Sequence, residues 1–156
     1  MSKIVYEVTV DNGNTFWRLN GKRHRLDGPA VEYANGDKGW WVNGEMHRED
    51  GPAYECANGG KSWWVNGKLH REDGPAIEFA SGTKEWWVNG KLHRLDGPAV
   101  EDAGGDKECY INGVKYTEED FNKKISEMHP PAAQSCAGKV VEIEGKRYQL
   151  VEVTSV

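Results

Sequence analysis

The stretch that decides the fold is Trp63-Trp64-Val65-Asn66-Gly67-Lys68-Leu69-His70-Arg71-Glu72-Asp73-Gly74-Pro75-Ala76-Ile77-Glu78. Its Asn-Gly pair recurs along the chain, and each step is 23 residues: Asn20-Gly21, Asn43-Gly44, Asn66-Gly67, Asn89-Gly90 and Asn112-Gly113. A repeat of fixed length is one supersecondary unit that cannot bury its apolar face alone, so successive units must stack. The sequence therefore predicts a short array whose function is carried by a surface displayed several times, and not by one catalytic pocket.

Two β-prone runs flank a Gly-containing turn in each unit. One such pair is Ile77-Glu78-Phe79 and Trp86-Trp87-Val88, with the turn at Ala80-Ser81-Gly82-Thr83. Asn and Gly tolerate the positive φ that tight hairpin turns need, and the Pro of Asp-Gly-Pro cannot donate to a ladder. We therefore predict a mainly β protein, an elongated and twisted antiparallel sheet of stacked hairpins with one hairpin per 23 residues.

Both ends of the chain depart from the repeat and are predicted to cap it. The array is expected to span 1–116, with an N-terminal half-repeat at 4–20 and repeats from about 20 to 112. Thr117 precedes three acidic residues, which predicts a capping helix over 117–129. Residues 130–138 are predicted as a linker, and 139–156 as a final β-hairpin packed as a cap over the open sheet edge.

Composition and charge exclude several classes of function. The formal net charge of -5 argues against general nucleic-acid binding, which depends on Lys and Arg at phosphates. No run approaches the roughly 18 apolar residues of a membrane span, and the N-terminus lacks a secretion signal. The 3 cysteines show no CxxC spacing, so neither a disulfide framework nor a zinc site is expected. We expect no cofactor and no metal, and a reducing cytoplasm as the location.

The order of these elements resembles MORN repeats over residues 6 to 116. The likeness is carried by the 23-residue period and by the succession of Ala34-Asn-Gly-Asp-Lys38 and Trp-x-Asn-Gly-Lys. An Asp-Gly-Pro-Ala step in place of Gly-x-Gly indicates a variant, similar to arrays in small phage and bacterial proteins. The resemblance implies scaffolding and protein binding, in some members lipid contacts, and no catalysis. The phage likeness implies an inhibitor of a host factor that acts in the host cytoplasm.

Two aromatic columns point to opposite faces of the predicted sheet, because neighbouring strand side chains alternate. The first column is Trp17, Trp40, Trp63 and Trp86, and the second is Arg18, Trp41, Trp64, Trp87 and Tyr110. Since the second column accepts Arg, we assign the first to packing and the second to a displayed surface that binds a partner. The alternative is that both columns are packed, one on each side of the sheet.

A Glu column alternates away from the apolar positions of the same strands. It comprises Glu32, Glu55, Glu78 and Glu101, and Lys38, Lys61, Lys84 and Lys107 recur near the turns. Solvated Glu/Lys cross-strand pairs are the simplest interpretation. If Glu55 and Glu78 lie beside the second Trp column, the displayed face is aromatic with acidic rims and suits a basic or amphipathic protein segment.

The His-Arg-x-Asp unit could suggest an oriented base, but its repetition argues against catalysis, since an enzyme needs one site with a distinct nucleophile. We expect the Asp to cap its own turn and to anchor the neighbouring His or Arg. Ligand contact is the alternative for His47, Arg48, His70, Arg71, His93 and Arg94. One His per repeat is too widely spaced to share a metal ion.

Three functions follow, in this order. The first is a non-enzymatic binding or scaffold protein that engages a partner protein through its repeat face. The second is binding of a small ligand, either a carbohydrate on the aromatic ladder or a nucleotide signal held by the His and Arg rows. The third is a structural module that self-associates through an edge or an aromatic face.

Overall fold

The computed structural model describes residues 5–128, 140–143 and 146–149, and in these ranges the protein is mainly β. The strands are β1 (Glu7–Asp11), β2 (Asn14–Leu19), β3 (Lys22–Arg23), β4 (Val31–Glu32), β5 (Lys38–Gly39), β6 (Trp41–Val42), β7 (Glu45–Met46), β8 (Tyr54–Glu55), β9 (Lys61–Ser62), β10 (Trp64–Val65), β11 (Lys68–Leu69), β12 (Ile77–Glu78), β13 (Lys84–Glu85), β14 (Trp87–Val88), β15 (Lys91–Leu92), β16 (Val100–Glu101), β17 (Lys107–Ile111), β18 (Val114–Tyr116), β19 (Val140–Ile143) and β20 (Lys146–Gln149). The helix is α1 (Glu118–Met128). No helix among these residues is long and apolar enough to cross a membrane.

A 12-stranded antiparallel sheet runs through the repeats in the order β1-β2-β4-β5-β8-β9-β12-β13-β16-β17-β18, with β3 paired to β2. Each repeat adds two strands. Thus β8 pairs with β9 in the register Glu55↔Lys61, and β9 pairs with β12 of the next repeat in the register Glu78↔Lys61. The order follows the chain and the sheet is open, so the predicted antiparallel stack of hairpins is confirmed. The Glu and Lys positions are cross-strand neighbours, as predicted, but the carboxylates of Glu55, Glu78 and Glu101 accept hydrogen bonds from arginines.

Each repeat also forms a second hairpin, in addition to the one predicted. The Trp-rich strand is interrupted at its first Trp, so β9 lies in the large sheet while β10 pairs with β11 in a separate ribbon. The interruption occurs at Trp63, which donates its N–H to the carbonyl of Ala76 at 2.8 Å and accepts the N–H of His70 at 3.1 Å. A unit therefore contains two short hairpins.

The Asn-Gly pairs close these second hairpins. Asn66 and Gly67 have φ values of 49° and 71°, and the four equivalent Asn-Gly pairs at 23-residue steps are also positive at both residues. Two consecutive residues of positive φ make a type I′ turn, whose twist matches that of the flanking strands. The N–H of Gly67 also donates to the carbonyl of Met46 in the preceding repeat at 2.9 Å, so the turns connect neighbouring units as well.

The core of the array includes the last residue of each Asp-Gly-Pro-Ala loop. Their alanines are all 0% exposed: Ala30, Ala53, Ala76 and Ala99. Near the first of them, Val31 and Trp41 are buried and pack with Phe16, Tyr33, Met46 and Tyr54. Such burial leaves no room for a larger side chain at the alanine positions.

The ends of the chain follow the prediction in the parts that are described. The N–H of Asp120 donates to Thr117 Oγ1 at 3.1 Å, which confirms the predicted N-cap of α1. The final hairpin is confirmed by the pairing of β19 and β20, from Val140↔Gln149 to Ile143↔Lys146. Residue 129, the predicted linker 130–138 and the remainder of 139–156 lie outside the described residues. That this hairpin packs as a cap stays a prediction.

Candidate functional site

An arginine clamped by its own repeat organises each His-Arg-x-Asp-Gly-Pro-Ala loop. The guanidinium carbon of Arg71 lies 4.0 Å from the centroid of the Trp63 ring. Gly74 lies against the guanidinium, since a Cβ at that position would be 3.0 Å from Arg71 Cζ. The same stacking occurs at 4.2, 4.2 and 4.0 Å in the pairs Arg25–Trp17, Arg48–Trp40 and Arg94–Trp86.

Two nitrogens of this arginine, Nε and Nη1, are bonded within the protein. Nε of Arg71 donates to Asp73 Oδ1 at 2.8 Å, and Nη1 donates to the carbonyl of Pro75 and to Glu78 Oε1, both at 3.2 Å. The equivalent bonds to Asp and Pro occur in the other three loops. The predicted anchoring of arginine by aspartate is confirmed. A ligand that contacted Arg48, Arg71 or Arg94 through these atoms would have to displace the internal partners.

These bonds also fix the charge of the aspartates. In each loop the pKa of the aspartate carboxyl is lowered from its ordinary value of 3.8, and the main cause is the hydrogen bond from the arginine. These aspartates are Asp27, Asp50, Asp73 and Asp96. The aspartates therefore carry full negative charge at neutral pH.

Each histidine of the motif holds the next repeat and not its own aspartate. Nδ1 accepts the backbone N–H of the following Asn-Gly turn at 3.0 to 3.2 Å, in the pairs His24–Asn43, His47–Asn66, His70–Asn89 and His93–Asn112. In the last three pairs, an accepting Nδ1 places the proton of the neutral ring on Nε2, whereas Nδ1 of His24 also lies 3.0 Å from Asn43 Oδ1. In the middle repeats, Nε2 of His47 and His70 lies 3.7 Å from the carboxylates of Glu49 and Glu72. The histidines predicted as ligand contacts thus have a defined structural role.

Three open clefts lie between successive loops, and we call them together the cleft row. Their volumes are about 620, 580 and 460 Å³. Each has an apolar floor made of a first-column Trp and the Val two residues later: Trp40 with Val42, Trp63 with Val65, and Trp86 with Val88. The cleft row therefore repeats the same Trp/Val floor three times, while its rims differ, since Leu26 and Leu95 replace the Glu in the first and last loops.

The rims of the cleft row present carboxylates to solvent. Six side chains are between 77% and 86% exposed: Asp27, Asp50, Asp73, Asp96, Glu49 and Glu72. The four arginines are only 19% to 22% exposed, and each is also within 3.7 Å of a Glu on the sheet. A molecule that approaches the clefts therefore meets negative charge first and an apolar floor beneath it.

The second Trp column lies on the other face and is covered to different extents. Trp41 is 7% exposed, so the prediction that it is displayed is wrong. The reason is Gly39, where a Cβ would lie 1.9 Å from Trp41 Cζ3; without one, the indole lies on the sheet. Trp64 and Trp87 are half-buried, and Trp64 donates its Nε1–H to Ser62 Oγ at 2.7 Å.

Glu55 and Glu78, predicted as acidic rims of the second Trp column, are bonded to arginines on the side of the first. Glu55 and Glu78 accept hydrogen bonds from Arg48 and Arg71 at 3.1 and 3.2 Å, and those arginines stack on first-column tryptophans. A mainly apolar groove of about 260 Å³ lies beside Trp64, and Glu78 also lines it.

The remaining residues predicted to bind a partner are half-buried and have contacts of their own. Arg18 Nη1 donates to Thr9 Oγ1 at 2.8 Å. The hydroxyl of Tyr110 donates to Glu108 Oε2 at 2.8 Å, and this bond is the largest cause that raises the pKa of the phenol. Whether they contact a partner stays a prediction.

No protein-family model matches this chain, and no curated protein matches it. Within the described ranges, no three His, Cys, Asp or Glu side chains are placed to hold a metal ion together.

The floor of the cleft row was missed from the sequence because the first Trp column was assigned to packing. Trp40, Trp63 and Trp86 are half-buried and line open clefts. The signal that could have found them is the Arg that stands two residues before each Asp, since a planar guanidinium stacks on aromatic rings.

Proposed function

We propose that this chain is a non-enzymatic binding protein that engages a partner protein through the cleft row. The observation that carries the proposal is the threefold occurrence of one cleft, with a Trp/Val floor and exposed carboxylate rims. A surface of identical sites along an array suits an extended partner, which gains affinity from several weak contacts at once.

The charge of the rims favours a basic partner segment. Lys and Arg side chains lay their aliphatic stems on apolar surface and keep the charged head in water or at a carboxylate. The floor at Trp63 and Val65 suits the stem, and Asp50 and Glu72 on the rims suit the head. The same rims repel phosphate, which supports a protein partner over a nucleic acid.

A peptide array with graded content of Lys and Arg tests this proposal. We expect the protein to be retained by basic peptides and not by acidic or neutral ones. The double variant Glu49→Leu, Glu72→Leu should lose retention while it keeps the fold, because the other two loops carry Leu26 and Leu95 at this position. A Trp64→Ala, Trp87→Ala variant should keep retention. If the Glu49→Leu, Glu72→Leu variant kept retention and the Trp64→Ala, Trp87→Ala variant lost it, the partner would bind at the second Trp column.

A small ligand is the alternative occupant of the same clefts, since their volumes fall in the range of ligand sites. A thermal-shift screen with sugars, nucleotides and amines measures it directly. A ligand that raises the midpoint in wild type, and not in the Glu49→Leu, Glu72→Leu variant, would favour this alternative.

Self-association is a second candidate, favoured by the edge strand β1. β1 forms one end of the large sheet, and Val8 and Val10 are 52% and 71% exposed. Exposed apolar edge strands pair with other chains. Sedimentation at increasing concentration should then show dimers or larger species, and Val10→Lys should return the protein to a monomer.

We further propose that the array is a variant of the MORN type. The support is the hairpin unit of 23 residues in an open antiparallel sheet.

A further inference from the structure

The clefts repeat at an interval set by the sheet. Each repeat adds two strands, as β8 and β9 do between β5 and β12. Hydrogen-bonded strands lie about 4.8 Å apart, so equivalent points on successive repeats are about 10 Å apart. The cleft row therefore offers three equivalent positions at intervals of about 10 Å.

This interval equals three residues of a polyproline II chain. That conformation rises about 3.1 Å per residue with three residues per turn, so every third side chain returns to the same side after about 9.3 Å. A β-strand turns every third side chain to its opposite face, because its side-chain period is two. Polyproline II thus brings the same kind of side chain to each cleft within seven residues.

An α-helix matches the interval only through every seventh residue, which advances about 10.5 Å. Its overall diameter with side chains is about 10–12 Å, so its axis lies about 5–6 Å from a surface that it contacts. An extended segment approaches closely enough for each aliphatic stem to reach the Trp and Val floor. The Glu49–Asp50 and Glu72–Asp73 loops line the clefts together with the Trp and Val floor, so we infer that the thinner ligand suits them better.

We propose that the cleft row binds a polyproline II-type segment of a partner protein that carries Lys or Arg at every third residue, one cation in each cleft. This inference rests on the proposed function and adds the conformation and the spacing of the partner. Each cation lays its stem on the floor, as on Trp63 and Val65, and brings its head to the rim carboxylates, as at Asp50 and Glu72.

Two peptides of identical composition test the spacing. The first is Lys-Pro-Pro-Lys-Pro-Pro-Lys, and the second is Pro-Lys-Pro-Lys-Pro-Lys-Pro, both acetylated and amidated. Titration calorimetry at low ionic strength measures their affinity for the full chain and for the Glu49→Leu, Glu72→Leu variant. A helical Ala-rich peptide with Lys at every seventh residue is the third probe.

We expect the first peptide to bind about tenfold more tightly than the second, because two of the three cations fall out of register in the second. The double variant should lose a similar factor for the first peptide. Equal affinities of the two Pro-rich peptides, both weakened in the double variant, would overturn the spacing and leave the proposed function standing. Tightest binding of the helical peptide would overturn the polyproline II conformation. Absence of binding by all three would count against the proposed function itself.

Discussion

The guanidinium of Arg71 is stacked on the Trp63 ring with 4.0 Å between the guanidinium carbon and the ring centroid, while Gly74 lies against it. Arg71→Lys keeps the positive charge but loses the planar stack and the fork of hydrogen bonds. We expect the free energy of unfolding to fall by about 1–2 kcal/mol, measured by urea denaturation. The control Lys68→Arg, at an exposed position of an Asn-Gly hairpin, should stay within about 0.5 kcal/mol of wild type. Equal midpoints for the two variants would show that the clamp contributes nothing.

Gly60 interrupts a row of bonds between neighbouring repeats. In the same position of other repeats, Asn14 Oδ1 accepts the N–H of Ala34 at 2.9 Å and Asp37 Oδ1 accepts that of Ala57 at 2.7 Å. Gly60 has no side chain to offer Ala80. We therefore expect Gly60→Asn to raise the free energy of unfolding by about 0.5–1 kcal/mol, through the new bond and a less flexible unfolded chain.

A matched control for this substitution lies one residue earlier. Gly59 has a φ of 96°, a conformation that L side chains rarely adopt, so Gly59→Asn should destabilise the protein. If Gly60→Asn destabilised it as strongly, the row of bonds would not extend through the third repeat.

Trp41 and Trp64 of the second column should differ in their contribution to stability. The Trp41 ring packs on Gly39 and the residue is 7% exposed. We expect Trp41→Ala to lower the free energy of unfolding by about 3–5 kcal/mol, measured by urea denaturation. Trp64 is half-buried, and Trp64→Ala should cost about half as much. Gly39→Ser should lift the Trp41 indole toward the geometry seen over Ser62 and raise its quenching by acrylamide. Equal losses for the two alanine variants would contradict the burial difference.

Acid should weaken the loops through their aspartates. The folded pKa of Asp73 is lowered from 3.8, mainly by the hydrogen bond from Arg71. A lowered folded pKa contributes stability that is present above the unfolded pKa and is lost as pH falls through the folded value. We expect Asp73→Asn to be less stable than wild type at neutral pH, and the difference to shrink as pH falls from about 3.8 downward. Urea midpoints between pH 7 and 2 measure it, and a difference that stayed constant would refute this assignment.

Local features of the fold were predictable from particular residues. Asn66-Gly67 predicted a tight turn because Asn and Gly tolerate positive φ, and Thr117 predicted a helix start because its hydroxyl accepts an N–H of the first turn. The second hairpin of each repeat was not predictable in the same way. It arises where Trp63 leaves the large sheet to bond Ala76 and His70, and nothing in strand alternation marks that position.

The exposure of the two Trp columns could not be predicted from the sequence either. Alternation shows that Trp40 and Trp41 face opposite ways, but it does not say which face is covered. Trp41 is buried because Gly39 has no side chain, while Trp40 is stacked by Arg48 of its own repeat and still lines an open cleft.

By itself, the sequence determined the period, the turn types and the antiparallel order, because these follow from residues close together in the chain. Only the tertiary structure decided where the cleft row lies. Each cleft is formed between loops of two successive repeats, such as those at Arg48 and Arg71. Its outward charge is negative because stacking and ion pairing leave each arginine recessed and each aspartate exposed.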